Sequence, residues 1–222
     1  MTAHEFENSR VYLMDCMEGM KQYPDKHFEL AVVDPPYGID VNNQSQEKGG
    51  GVAKKINYAK KDWDKSAPDL EYFSQLIRVS KNQIIWGANH FISRMPIDSS
   101  CWIIWDKENG ETDFADCELA WTSFKSAARK FKWKWAGMLQ QNMKNKEQRI
   151  HPTQKPVALY DWIFHNYAKP GDKILDTHLG SGSSRIAAHK HGLDFTGFEL
   201  DPDYFEASVK RFNQYSSQLT LF

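Results

Sequence analysis

The apolar positions change period along the chain, and those changes mark out the elements. Residues 28–34, FELAVVD, have a continuous apolar centre, which predicts a strand buried on both faces. RVYLMD at 10–15 predicts a shorter strand, and CMEGMKQYP at 16–24 a helical stretch ending at Pro24. PDLEYFSQLIRVS at 68–80 and PVALYDWIFHNYA at 156–168 carry helical spacing and open on proline, with Asp69 in the first turn of the former. NQIIWGANHF, CWIIWDK and CELAWTSF predict three further strands. KILDTHLGSGSSRIAAHKHG then reads strand, glycine turn, helix and glycine stop, and DFTGFELD and PDYFEASVKRFNQY a last strand and helix. Strands alternating with helices predict an α/β fold with a doubly wound, mostly parallel sheet. The polar stretch 40–65 holds three consecutive glycines and reads as a flexible loop. No internal repeat or linker divides the chain.

At 222 residues the chain fits one domain with a substantial core. No apolar run is long enough to cross a bilayer, and the first ten residues lack a signal-peptide core. Cys16, Cys101 and Cys117 form no CxxC pair and read as reduced thiols, so a cytoplasmic protein is expected. The net charge of −1 conceals an asymmetry. Residues 123–150 carry eight lysines and arginines against Glu147 alone, and residues 47–65 six lysines against three acids. An acidic body with two basic segments suits a polyanion, although solvated lysine-rich loops fit the same pattern.

The chemistry concentrates in two places. Gly180 and Gly182 follow a predicted strand and open a helix, where backbone can approach a ligand closely. Glu199 ends the next strand, about twenty residues on, the separation at which an acid grips ribose hydroxyls. No lysine follows Gly182, which excludes a phosphate-binding loop, and Arg185 stands where a dinucleotide fingerprint needs its third glycine. Asp176 would repel phosphates but suits a cationic amine. S-adenosylmethionine fits these demands: it has ribose hydroxyls, an amino-acid end and no phosphate. The second place is LAVVDPPYGI at 30–39, where a buried strand stops on Asp34 and Pro35 and Pro36 stiffen the following backbone.

With DPPY at 34–37, HPTQKP at 151–156 and ILDTHLGSGSS at 174–184, in that order, the chain resembles the permuted beta group of DNA N6-adenine methyltransferases over nearly its whole length. The resemblance implies a Rossmann-like S-adenosylmethionine-dependent fold, with catalytic residues 1–121 and 151–222 and a small target-recognition insertion at 122–150. It implies that Asp34 and the Pro35 carbonyl accept hydrogen bonds from the exocyclic amine of the target base. Pro36 stiffens that turn, and Tyr37 stacks on the base once it is flipped out. Asp15 and Cys16 would lie near the cofactor adenine, and Glu199 on its ribose. Asp176, His178, Gly180 and Gly182 would line the methionine end, with Thr153 and Lys155 near the cofactor carboxylate. The family usually reads Asp-Pro-Phe before the glycine turn, whereas this chain reads Asp176-Thr177-His178. No metal is implied. The implied partners are double-stranded DNA, a second copy of the chain and a separate restriction nuclease. Cytosine-N4 methylation, RNA methylation and a catalytically silent DNA-binding subunit remain rival readings, with Asp34 favouring adenine because permuted cytosine enzymes more often carry serine there.

Weaker features stay open. His151 suits a cofactor or DNA contact and equally a loop cap. Trp133 and Trp135 alternate with Lys132 and Lys134, which suits a half-buried strand somewhat better than a strip facing nucleic acid. His4, His27, His90, His165, His189 and His191 lack metal-ligand spacing and read as surface or packing residues.

Overall fold

Two short antiparallel strands, β1 (Thr2–Phe6) and β2 (Ser9–Leu13), open the chain, followed by α1 (Cys16–Met20) and β3 (Phe28–Val33). The computed structural model describes residues 2–40, 61, 64–95, 98–110, 115–136 and 139–219. Most of the glycine-rich loop expected at 40–65 therefore lies outside the described residues. Helix α2 (Leu70–Val79) leads into β4 (Ser80–Trp86), then come β5 (Trp102–Asp106), β6 (Cys117–Thr122), β7 (Arg129–Lys132), β8 (Trp135–Ala136) and β9 (Leu139–Gln140). Helix α3 (Val157–Tyr167), β10 (Lys173–Asp176), α4 (Ser183–Lys190), β11 (Asp194–Glu199) and α5 (Pro202–Leu219) complete the order.

Among the described residues nine strands form one sheet, ordered β1-β2-β11-β10-β3-β4-β6-β5-β7. β2, β11, β10, β3 and β4 run parallel, while β1 and β6 run against their neighbours. The doubly wound expectation therefore holds for the centre of the sheet. Strand β3 is central, as its apolar run requires. Leu30 and Val32 enter one core, with α3, α4 and Trp86, and Ala31 and Val33 enter the other, with α2 and Phe198. Among the described residues no α-helix separates β4 from β5; two 3-10 turns, Ala88–His90 and Ile92–Arg94, occupy part of that link. The β5–β6 hairpin then returns antiparallel onto β4.

Three local expectations need adjusting. Asp69 is the N-cap of α2, accepting the Tyr72 N–H at 3.0 Å, and not a first-turn residue. Residues 2–6 form an edge strand that their alternation had not revealed. Trp133 is half-buried and stacks on Phe131 at 6.0 Å, while Trp135 is buried and donates from Nε1 to the Gln154 carbonyl at 3.0 Å. Both indoles pack inward, but Trp133 and Lys134 lie in the link between β7 and β8, so the stretch is not one continuous strand. Part of the basic segment, β7, pairs with β5 and forms an edge of the main sheet, where its lysines and arginine discourage further pairing.

Candidate active site

The carboxyl ends of four adjacent parallel strands each deliver an acid. Asp15 follows β2, Glu199 ends β11, Asp176 ends β10 and Asp34 follows β3. Neighbouring strands lie about 4.8 Å apart, so these acids form a row along one edge of the sheet. The chain leaves β10 toward β11 and leaves β3 toward β4, so a topological switch point opens between Asp176 and Asp34. Ligands of open α/β sheets bind in that crevice.

Asp34 sits in a tight cluster. Tyr37 Oη donates to Asp34 Oδ1 at 2.8 Å, and Lys155 Nζ lies 2.5 Å from Asp34 Oδ2. The same ammonium reaches Glu118 Oε2 at 3.0 Å and Tyr37 Oη at 3.1 Å. Glu118 Oε1 pairs in turn with Lys107 Nζ at 2.5 Å. Lys155 thus stands on Asp34 and Tyr37 of the DPPY stretch. Tyr37 lies flat against His90, with ring centroids 4.9 Å apart and planes at 16°. Gly87 has φ of +70°, and a Cβ there would fall 2.0 Å from the Tyr37 ring, so glycine makes room for the tyrosine. Asp64 Oδ1 accepts the Tyr37 and Gly38 N–H groups at 2.7 and 3.0 Å, fixing the backbone after Pro35 and Pro36.

Around the glycine turn, Gly180 N–H donates to Glu199 Oε2 at 2.7 Å and Asp201 N–H to Oε1 at 2.9 Å. Gly182, with φ of +70°, starts α4 close against Ser208. Asp176 Oδ2 accepts from Ser184 Oγ at 2.5 Å and Oδ1 from the His178 N–H at 3.1 Å. Arg211 donates to the Ser181 carbonyl and Ser183 Oγ, each at 2.9 Å, and pairs with Glu147 at 2.7 Å, which ties the basic segment to the turn.

The remaining expected residues divide. His178 packs edge-on against Tyr72 at 5.6 Å, and its Nδ1 lies 3.0 Å from Thr177 Oγ1, which itself lies 2.7 Å from Tyr72 Oη. A hydrogen-bonded chain thus stands where the family usually has Pro-Phe. Asp15 Oδ1 caps α1, accepting from Met17 N at 2.7 Å, and half-buried Cys16 begins that helix. Thr153 Oγ1 lies 3.1 Å from His151 Nδ1, and the His151 ring packs on Tyr204 at 4.3 Å beside Gly180. His151 therefore braces its own loop against the glycine turn. Lys61 bridges Asp201 and Asp203 at 2.5 and 2.7 Å. Sequence reasoning missed Glu118, Asp64 and Tyr160, and read His90 only as a surface or packing residue. Glu118 offered a faint signal, as an acid inside the apolar CELAW; the others offered none.

The burial of these charges sets their proton affinities. Burial, and the Glu118 charge beside it, push the Asp34 carboxyl up against the pull of Lys155. Burial acts on Glu118 too, but Lys155 and Lys107 together outweigh it and hold Glu118 at about 2. Glu118 has a second cation, and so is the more firmly ionised of the two. Asp34 and Glu118 together hold Lys155 above the ordinary lysine value in spite of its burial. Burial raises Asp176 to about 7, with Asp34 and Glu199 adding repulsion. Burial lowers His178 to about 4 and His151 to about 3, so both rings are neutral at neutral pH. Tyr160, buried on α3, feels Asp34, Asp176 and Glu118 together, and burial keeps its phenol protonated. Among the described residues no His, Cys, Asp and Glu group is arranged to hold a metal, and no helix is long and apolar enough to cross a membrane.

Comparison with known proteins agrees with this architecture. The type II methyltransferase M.HinfI of Haemophilus influenzae is 25% identical over a 244-residue alignment covering 90% of this chain and 67% of its own. The crystal structure of the M1.HpyAVI–SAM complex superposes with a TM-score of 0.58 at 22% identity, covering 91% of this chain and 98% of the other. The cytosine-N4-specific PvuII DNA methyltransferase superposes with a TM-score of 0.60 at 12% identity, covering 95% and 90%. These superpositions establish a shared fold. The family model described as DNA methylase, for N6 and N4 enzymes, matches residues 99–210, which include Glu118, HPTQKP, the glycine turn and Glu199. The match spans half the chain, and with it the protein belongs to the N6/N4 DNA methylase family.

Proposed function

We propose that the protein transfers a methyl group from S-adenosylmethionine to the N6 amine of adenine in double-stranded DNA. The observation that carries this reading is Asp34, a carboxylate fixed at the end of a buried strand and facing Asp176 across the switch-point crevice. The crevice suits the cofactor. Asp176 is bonded to a hydroxyl and a backbone N–H, no cation pairs with it among the described residues, and a cationic amino group would relieve its buried charge. Glu199 is held rigidly by two backbone N–H groups and keeps acceptor capacity for vicinal hydroxyls. Asp15, Cys16, His178, Gly180, Gly182 and Thr153 are assigned to the same cofactor.

When bound, S-adenosylmethionine supplies the methyl group. The chain prepares the nucleophile. Asp34 and the Pro35 carbonyl accept the two amine hydrogens, which frees the nitrogen lone pair from the ring and stabilises the positive charge that develops on it. Tyr37 must first release Asp34 Oδ1, and its ring then stacks on the flipped base. The methylated amine loses a proton to Asp34 Oδ1, the carboxylate oxygen that already accepts from it, whose affinity burial raises. The basic segment 122–150 supplies phosphate contacts and target recognition.

Incubation with labelled S-adenosylmethionine and plasmid DNA, followed by mapping of the modified bases, tests the reading. N6-methyladenine is expected. N4-methylcytosine would shift the base assignment, and transfer to structured RNA alone would overturn it. Asp34→Ala is expected to lower transfer by a factor on the order of 10³ or more while calorimetric binding of S-adenosylmethionine is retained. Loss of both together would assign Asp34 to folding.

A further inference from the structure

We propose that Glu118 is a positioning residue for methyl transfer: backed by Lys107, it holds the Lys155 ammonium beside Asp34 and keeps it when Asp34 turns to the target amine. This rests on the reading of Asp34 as the amine acceptor. Lys155 is nearly sealed from solvent, its side chain 3% exposed, and its three protons meet three oxygens, on Asp34, Glu118 and Tyr37. For an amine to reach Asp34, Tyr37 must leave Oδ1, and Lys155 then loses the phenol as a partner. Glu118 Oε2, which lies 3.0 Å from Lys155 and 3.3 Å from the Tyr37 hydroxyl, is left to the ammonium alone. It therefore strengthens its hold at the moment Asp34 loosens.

Charge gives a second reason. Asp34 and Glu118 oppose Lys155 and Lys107, so the cluster is neutral overall. The transferred methyl leaves positive charge on the amine nitrogen. Without Glu118 the cluster would carry one net positive charge beside that cation, and Lys155 would fall wholly onto Asp34, competing with the amine.

The test compares kcat, its pH profile and cofactor affinity for Glu118→Gln, Glu118→Asp, Lys155→Met and the Glu118→Gln/Lys155→Met pair. Asp34 is faced by Tyr37 from its own turn, Lys155 from HPTQKP, Glu118 from β6 with Lys107 behind it, Asp176 from β10 and Tyr160 from α3. Glu118→Gln is expected to lower kcat about 10- to 100-fold. It should also move the acidic limb of the profile to lower pH, because Asp34 loses a like charge. Lys155→Met should move that limb to higher pH. Glu118→Asp, which keeps the charge, should recover much of kcat with a near-wild-type limb, and gives the answer if Glu118→Gln fails to fold. The double variant should be no slower than Lys155→Met, since Glu118 then has nothing to hold. S-adenosylmethionine affinity should stay within about threefold throughout. Wild-type kcat with an unmoved limb in Glu118→Gln would overturn the proposal. So would full additivity in the double variant. Absence of methyl transfer by the wild-type protein would instead remove the reading on which it rests.

Discussion

Asp176 is a residue whose environment fits its charge poorly. Its side chain is buried, it accepts from the Ser184 hydroxyl and the His178 N–H, and its carboxyl is raised to about 7. A carboxyl raised on folding costs stability when ionised. The cost is absent below the ordinary carboxylate value near 3.8, grows as pH rises, and is complete above about 7. Asp176→Asn keeps the shape without the charge. It is expected to stabilise the cofactor-free protein by about 1–3 kcal/mol at pH 8 and by almost nothing at pH 4. Denaturant melts at the two pH values check this, and a gain independent of pH would exclude ionisation as its source. The same variant should bind S-adenosylmethionine more weakly, because the burial cost is what a cationic amino group offsets. The sequence showed Asp176 to be ill-suited to phosphates, since its position before the glycine turn suffices for that. It could not show Lys155 turned onto Asp34, because that depends on β6 carrying Glu118 to the far side of the same ammonium.

Among the elements, those read best from sequence carry their own start and stop signals. The β10–turn–α4–β11 unit is punctuated by its own glycines, and α2 and α3 by their prolines. The half of the sheet beyond β4 was harder to read, because β6 inserts between β4 and β5 and that pairing depends on distant partners. Edge strands β1 and β7 bury too little for alternation to reveal them. Helix α1 shows how element and site overlap. The resemblance places Asp15 near the cofactor adenine, while the structure makes it the N-cap of α1. Asp15→Ala removes both roles, whereas Asp15→Asn keeps a capping oxygen and loses the charge. Alanine is expected to cost about 1 kcal/mol and asparagine only a few tenths. Equal losses of cofactor affinity in the two variants, measured by calorimetry, would assign the binding role to the charge; loss in alanine alone would assign it to the cap.

For the whole molecule, the distribution of charge matters more than the net value of −1. The larger basic surplus lies in residues 123–150, where Lys125, Arg129, Lys130, Lys132, Lys144 and Lys146 are exposed. Lys130 and Lys132 already face Asp106 and Glu108 at 3.6 and 3.9 Å, loose surface pairs that a phosphate could displace at little cost. Exposed Leu139 and Met143 lie within the same stretch. Arg211 and Glu147 anchor it to the glycine turn, so DNA held there would lie beside the cofactor edge rather than on a separate lobe. If phosphate contacts dominate, affinity for duplex DNA must fall steeply with salt, and each lysine removed must lower the slope by a fixed share. Replacing Lys125, Lys144 and Lys146 with glutamine is expected to reduce the slope of log affinity against log salt by about 2 to 3. Binding should weaken for all DNA sequences alike, with the modified base unchanged, because phosphate contacts position the duplex and do not read it. Fluorescence anisotropy across a salt series measures the slope. An unaltered slope would place the DNA on another face, and the basic segment would then be a solvated surface with no part in binding.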